Sequence, residues 1–195
     1  MSTLITNNIK NPTSASTNIV LNSDGSATIP GASITLATAV NLPADGSAGS
    51  NINFTGIPSW AKRITVMMNG ASLNALTPFL IQLGTSAGVT NSGYTSYWGF
   101  AYGAGTGTSA SSAGFGIHLG NPAEIIWVNV IITNVTGNTW LASHGGALVT
   151  GPGGTGVQIT GGGNVTLPGT LDRVRLTSVS GTALYDLGSV NIMYE

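Results

Sequence analysis

Glu124-Ile125-Ile126-Trp127-Val128-Asn129-Val130-Ile131-Ile132-Thr133-Asn134-Val135-Thr136-Gly137-Asn138-Thr139-Trp140-Leu141-Ala142-Ser143 is the stretch that decides the fold. The segment Glu124–Val135 is the longest apolar run in the chain, and Thr136-Gly137-Asn138 turns it into a second run, Thr139–Ser143. Its side chains are mostly β-branched or aromatic, the types that fit a pleated, half-buried surface better than a helix. Two such runs joined by a short glycine-containing turn read as a β-hairpin.

The same grammar extends in both directions. Short extended runs recur at Asn51–Phe54, Arg63–Asn69, Phe79–Leu83, Val157–Thr160, Asn164–Leu167, Arg173–Val179 and Ser189–Tyr194, most of them followed by Gly, Pro, Asn or Ser. Alternation is plainest in Arg173-Val174-Arg175-Leu176-Thr177, where Val174 and Leu176 share one face and both arginines and Thr177 the other. In the last run Val190, Ile192 and Tyr194 share a face. With no helical pattern between the strands, the pairing is expected to be antiparallel. The expected fold is all-β: a jelly-roll-like sandwich of two packed sheets over residues 51–195. Trp60, Trp127 and Trp140 sit in apolar runs and are expected in its core. Gly99–Gly116 and Gly145–Gly163 are so rich in glycine that they are expected to be long surface loops.

Residues 1–50 differ. They contain no aromatic residue, and their small apolar clusters, Leu4-Ile5, Ile9, Ile19-Val20-Leu21 and Ile34-Thr35-Leu36, are separated by turn-prone stretches such as Asn22-Ser23-Asp24-Gly25-Ser26. A segment without large side chains can hardly build a core of its own. It reads as an extended N-terminal arm that attaches to a partner or winds with copies of itself, or as a leader that adds a strand or two to the main domain. The hinge falls at Pro43-Ala44-Asp45-Gly46-Ser47-Ala48-Gly49-Ser50.

Charge is scarce. Charged residues make up 6% of the chain and the net charge is −1, against about 25% charged residues in an ordinary soluble domain. Five basic residues, Lys10, Lys62, Arg63, Arg173 and Arg175, are too few and too scattered to neutralise a phosphate backbone, so nucleic acid is not an expected partner. Net charge near zero removes repulsion between copies and favours self-association. The absence of cysteine excludes disulfides and thiolate metal sites. No apolar run approaches the roughly 20 residues that span a bilayer, and the first residues have neither the basic nor the apolar region of a signal peptide. The expectation is a chain made in a cytoplasm without membrane insertion.

No catalytic constellation stands out, and no cofactor is expected. Asp172 and Asp186 could meet across adjacent strands as a glycosidase pair needs, but Asp172 stands beside Arg173, and a surface ion pair is the simpler reading. His118 and His144 are 26 residues apart with no acidic neighbour in sequence, unlike a zinc site. Gly151-Pro152-Gly153-Gly154-Thr155-Gly156 lacks the lysine and helix of a phosphate loop. The expectation is that the protein is not an enzyme. One cluster does invite a ligand: Tyr94, Tyr97, Trp98, Phe100 and Tyr102 fall within nine residues, among glycine and serine. Aromatic faces beside hydroxyls suit sugars, so Tyr94, Tyr97, Trp98 and Tyr102 are candidate contacts to a host-surface glycan. The same alternation equally suits a strand whose rings fill the core.

The opening Ile5-Thr6-Asn7-Asn8-Ile9-Lys10-Asn11-Pro12, Ser14-Ala15-Ser16, and Ile19-Val20-Leu21-Asn22-Ser23-Asp24-Gly25-Ser26-Ala27 resembles the N-termini of fibre and structural proteins of marine phages and cyanophages. From Phe54 on, the chain is similar to a domain at the C-terminal ends of phage fibre-like proteins. The stretches that carry this are Phe54-Thr55-Gly56-Ile57-Pro58-Ser59-Trp60-Ala61-Lys62-Arg63-Ile64, Ile81-Gln82-Leu83-Gly84, Gly137-Asn138-Thr139-Trp140, Leu171-Asp172-Arg173-Val174-Arg175 and Gly188-Ser189-Val190-Asn191-Ile192-Met193-Tyr194-Glu195. The resemblance implies a homotrimeric virion component, with the arm docked on the particle and the β domain displayed outward. Leu4, Ile5, Ile9, Ile19, Val20 and Leu21 would be the anchor, against the major capsid protein or another virion protein. With no long shaft between arm and head, it implies a capsid knob or decoration on the virion surface rather than a far-reaching tail fibre.

Overall fold

The computed structural model describes residues 34–103, 105–122, 124–150 and 154–195, together with three short strand segments nearer the N-terminus. Those segments, β1 (Asn8–Ile9), β2 (Ile19–Leu21) and β3 (Ala27–Thr28), pair antiparallel in a small sheet of their own. Ile9 lies in β1 and Ile19, Val20 and Leu21 form β2, while Leu4 and Ile5 lie outside the described residues.

The other described strands are, in order, β4 (Thr35–Leu36), β5 (Val40–Asn41), β6 (Ile52–Thr55), β7 (Arg63–Leu73), β8 (Phe79–Thr85), β9 (Gly88–Val89), β10 (Thr95–Tyr102), β11 (Gly105–Ser111), β12 (Phe115–Ile117), β13 (Glu124–Thr136), β14 (Thr139–Thr150), β15 (Gly156–Thr166), β16 (Arg173–Ser178) and β17 (Tyr185–Tyr194). They form two antiparallel sheets packed face to face. The large sheet has nine strands, running β11-β10-β15-β14-β13-β7-β17-β4 with β5 also on β17; the small sheet has five, running β12-β8-β16-β6 with β9 also on β8.

The pairs β7–β17 and β8–β16 nest: the chain crosses from large to small sheet between β7 and β8 and back between β16 and β17. That nesting is the jelly-roll element. The meander β13–β14–β15, which stays in one sheet, departs from it.

Period-two burial decides which face of each strand meets the other sheet. Ile64, Val66 and Met68 of β7, Ile126, Val128, Val130 and Ile132 of β13, and Val190 and Ile192 of β17 point inward. They meet Ile52 and Phe54 of β6, Phe79, Ile81 and Leu83 of β8, and Val174 and Leu176 of β16 in one continuous core. The alternation expected at Val174 and Leu176 holds, and so does that at Val190 and Ile192; Thr177, expected outside, is buried. Trp140 is core, and Trp60 packs at its edge with its ring 5.8 Å from that of Tyr194. Trp127 is 44% exposed, contrary to expectation. Its strand neighbours Ile126 and Val128 take the inward positions, so a period of two turns Trp127 out.

The glycine-rich stretches expected to be loops are largely strands, β10–β12 and β14–β15. Their glycines make room for rings and backbone rather than for turns. Trp98 lies inward on β10, and Gly116 of β12 and Gly161 of β15 close around it: a Cβ on Gly116 would enter the indole ring, and one on Gly161 would stand 2.8 Å from the Trp98 Cβ. A Cβ on Gly163 would collide with the carbonyl oxygen of Thr95. Ser96 ties the sheets together there, its Oγ accepting from the Gly116 N–H at 3.1 Å.

The large sheet also reaches further toward the N-terminus than the hinge at Pro43–Ser50. β4 and β5 both pair with β17, and Leu42 is buried in the core, so the folded unit takes in residues from Thr35 on. Charge pairs are few and peripheral among the described residues. Arg63 meets Glu195 at 3.0 Å, and Arg175 places a guanidinium fork on Gln82 Oε1 at 2.6 and 2.8 Å.

Gly163→Ala should lose about 1–3 kcal/mol of stability, the usual cost of forcing atoms into a packed site. Gly145→Ala, where nothing lies within 4 Å of the new Cβ, should be neutral or slightly stabilising. Urea midpoints at unchanged slope measure both; equal midpoints for the two variants would refute this account of the glycines.

Candidate functional site

The aromatic cluster divides between two faces of β10. Tyr94 and Trp98 are only 4% and 5% exposed. The Tyr94 hydroxyl accepts the Leu83 N–H at 2.7 Å and donates to the Thr90 carbonyl at 3.1 Å, and its ring meets Phe115 edge-on at 5.0 Å. Burial drives its pKa up to about 12, so it stays a neutral hydrogen-bonding strut. Neither Tyr94 nor Trp98 can touch an external ligand in this fold. Tyr97 and Tyr102 can, being 65% and 49% exposed. They point to opposite sides of the strand, however: Tyr97 to the outer face of the large sheet, Tyr102 to the inner side at its end.

Along the inner side of β10, burial falls off toward its C-terminal end. Trp98 is core, Phe100 is half-buried, and Tyr102 projects beyond the sandwich. The Phe100 ring is sandwiched, with His118 stacked 4.1 Å away and Tyr102 stacked at 6.1 Å. Beside this stack lies Glu124, the first residue of β13 and 7% exposed. The turn Gly120-Asn121-Pro122 folds the chain back so that Glu124 Oε2 accepts two backbone N–H groups, from Gly120 at 2.6 Å and Asn121 at 3.0 Å. A Cβ on Gly120 would stand 3.1 Å from His118 Nε2 and 3.4 Å from Glu124 Oε1, so imidazole and carboxylate border the same gap. Burial holds the His118 pKa below its ordinary value, with the Glu124 charge opposing.

These groups line a cleft of about 440 Å³ together with Thr155 and Val157. It sits at one end of the sandwich, where β10 ends and β13 and β15 begin. Sequence reading missed Phe100, His118, Glu124 and Thr155 as partners. His118 was set aside for want of an acid beside it, and the acid is six residues on, returned by a Gly-Asn-Pro turn. That turn is the legible signal.

The other sequence candidates stand apart. Asp172 pairs with Arg173 at 2.7 Å, as the ion-pair reading expected; it leads into β16 of the small sheet, whereas Asp186 lies in β17 of the large one. His144 is inward on β14, packed against Gly161, and its Nε2 has no hydrogen-bond partner among the described residues. Among the described residues no group of three or more His, Asp or Glu is placed to hold a metal ion.

The large sheet also has a polarity. Thr35 pairs with Tyr194, so the chain enters the sheet at the end where β7 begins and β17 finishes. Glu124, Tyr102 and Thr155 lie at the opposite end. Strands of 10 to 13 residues separate the two, about 35 Å at roughly 3.3 Å per residue.

Compared with protein-family models, with curated proteins and with solved structures, the chain has no significant match.

Burial drops the His144 pKa to about 4. The unfolded chain therefore binds a proton near pH 6.5 that the folded chain refuses until about pH 4. Stability should be flat above pH 6.5 and fall by about 3 kcal/mol as pH drops from 6.5 to 4. His144→Gln should remove most of that slope in urea titrations at pH 4.5, 5.5 and 7; a slope equal to that of the wild type would contradict the assignment.

Proposed function

We propose that this protein is a structural component of a bacteriophage virion: a small homotrimeric surface knob, or head fibre, held to the capsid by its N-terminal arm. The observation that carries the reading is the polarity of the sandwich. The arm leads in at one end, and the cleft with its aromatic rim opens about 35 Å away at the other, given strand lengths of 10 to 13 residues. A module anchored through the arm then displays the far end to the surroundings. The likeness of the arm and of several β-domain stretches to phage fibre proteins points the same way.

The homotrimer fits the outer face of the large sheet. From β13, β14, β15, β10 and β11, no outward side chain there is charged. Tyr97, Trp127, Ile131 and Leu141 stand exposed among Thr, Ser, Asn and Gly. Over Gly99, Ala101, Thr108, Ala147 and Thr160 the small side chains leave a shallow depression of about 540 Å³. An exposed face with apolar side chains and no charge costs little to desolvate and offers no repulsion to a second copy.

The purified full chain should have a solution mass three times its 19.6 kDa by light scattering. Ile131→Glu should shift it to the single-chain mass with an unchanged β-type circular dichroism spectrum. A wild-type monomer would refute the trimer.

Attachment is tested by sedimentation with capsids of the encoding phage that lack the protein. The wild-type chain should sediment with them, and Ile19→Asp/Val20→Asp should remain in the supernatant while keeping its thermal transition. Sedimentation of the variant with the capsids would remove the anchor from these residues.

A further inference from the structure

We infer that the cleft formed by Phe100, Tyr102, His118, Gly120, Glu124 and Thr155 is a saccharide-binding site that takes a neutral hexose ring. It deepens the reading of a displayed β domain by giving the displayed end a ligand class.

The chemistry of the cleft is two-sided. One wall is apolar: the Tyr102 ring stacks on Phe100 at 6.1 Å, and half of the Tyr102 surface is open. A pyranose presents just such a partner on the face where its C–H bonds cluster, because that face is apolar while the rim carries hydroxyls. The other wall is polar. Glu124 is more than nine-tenths buried, and its Oε2 is fully engaged with the Gly120 and Asn121 N–H groups. Its Oε1 makes no hydrogen bond among the described residues and borders the gap that His118 Nε2 also borders. A carboxylate has about four acceptor positions, and Oε1 is not among the buried side-chain atoms left without a partner, so a ligand hydroxyl there would take the place of water. Vicinal hydroxyls supply donors without bringing a second charge into the cleft.

His118 and Thr155 add groups that can donate as well as accept, which fits a ligand whose hydroxyls do both. At about 440 Å³ the space suits one or two sugar rings. An ammonium ligand is the nearest rival, since aromatic rings beside a carboxylate also hold cations. A cation accepts no hydrogen bond, so it would leave the donors at His118 and Thr155 unused, and the hexose is therefore the ligand the groups favour together.

Saturation-transfer NMR on the purified full chain tests this with methyl glycosides of glucose, galactose, mannose and N-acetylglucosamine, and with phosphocholine as the cationic probe. At least one glycoside should receive saturation on its ring C–H protons, with a dissociation constant in the millimolar range expected of one shallow subsite, and should shift the His118 imidazole resonances. Tyr102→Ala should abolish the transfer. Glu124→Gln, which keeps an oxygen for the two backbone N–H groups, should weaken binding at least tenfold at an unchanged thermal midpoint.

No transfer to any glycoside would overturn the inference. Undiminished transfer in both variants, or transfer to phosphocholine alone, would overturn it too. Because these signals are read on the isolated protein, sugar binding fails or succeeds independently of whether the chain is found on a virion.

Discussion

Alternate burial across two facing sheets is the constraint on which the rest of this structure depends. With 6% of its residues charged, the chain has little electrostatics with which to hold itself together. Each inward Val, Ile or Leu contributes about 1.5–3 kcal/mol on burial. Inward positions on β7, β13, β17, β8 and β16 are filled almost without exception by such residues. Once period two fixes the inward set, it also fixes the outward one. The sequence spends its hydroxyls, amides and glycines there, together with a few large apolar side chains, which leaves the outer face over β13, β14, β15, β10 and β11 without charge.

Glycine is the second device, and it acts through space rather than through turns. Trp98 fits between the sheets because Gly116 and Gly161 withdraw their side chains from its ring, and β10 lies close to β15 because Gly163 clears the Thr95 carbonyl. The same strand then rises out of the core: Trp98 is enclosed, Phe100 is half covered, and Tyr102 stands free. The cleft is the consequence. Where β10 leaves the sandwich, the β12–β13 connection folds in to cover Phe100 with His118 and to bury Glu124, so a packing gradient along one strand becomes a pocket at its end.

The strands whose pattern is written in side chains were legible in the sequence. Glu124–Val135 with its hairpin, Arg173–Val179 and Ser189–Tyr194 all appear where their apolar periodicity places them. β11 and the glycine-rich parts of β14 and β15 were not, because glycine carries no side chain with which to signal a face, and composition alone reads as loop; the runs Thr139–Ser143, Val157–Thr160 and Asn164–Leu167 along those two strands were legible. Trp127 was misplaced because hydrophobicity was weighed without phase: a tryptophan in an apolar run is outward when its neighbours hold the inward positions. Half the cleft was visible in the aromatic cluster around Tyr102. The other half, His118 and Glu124, depends on a turn that brings together residues six apart, and on Phe100 covering one of them.

The N-terminal entry and the cleft lie at opposite ends of the large sheet, and the proposed function rests on this: one end to be held, the other to be presented. Immunogold electron microscopy of intact virions of the phage that the proposed function implies, using antibody raised against residues 34–195, tests that proposal most directly. Gold distributed over the capsid head is the result it requires. Virions without gold, prepared from lysates in which the protein is abundant, would contradict it.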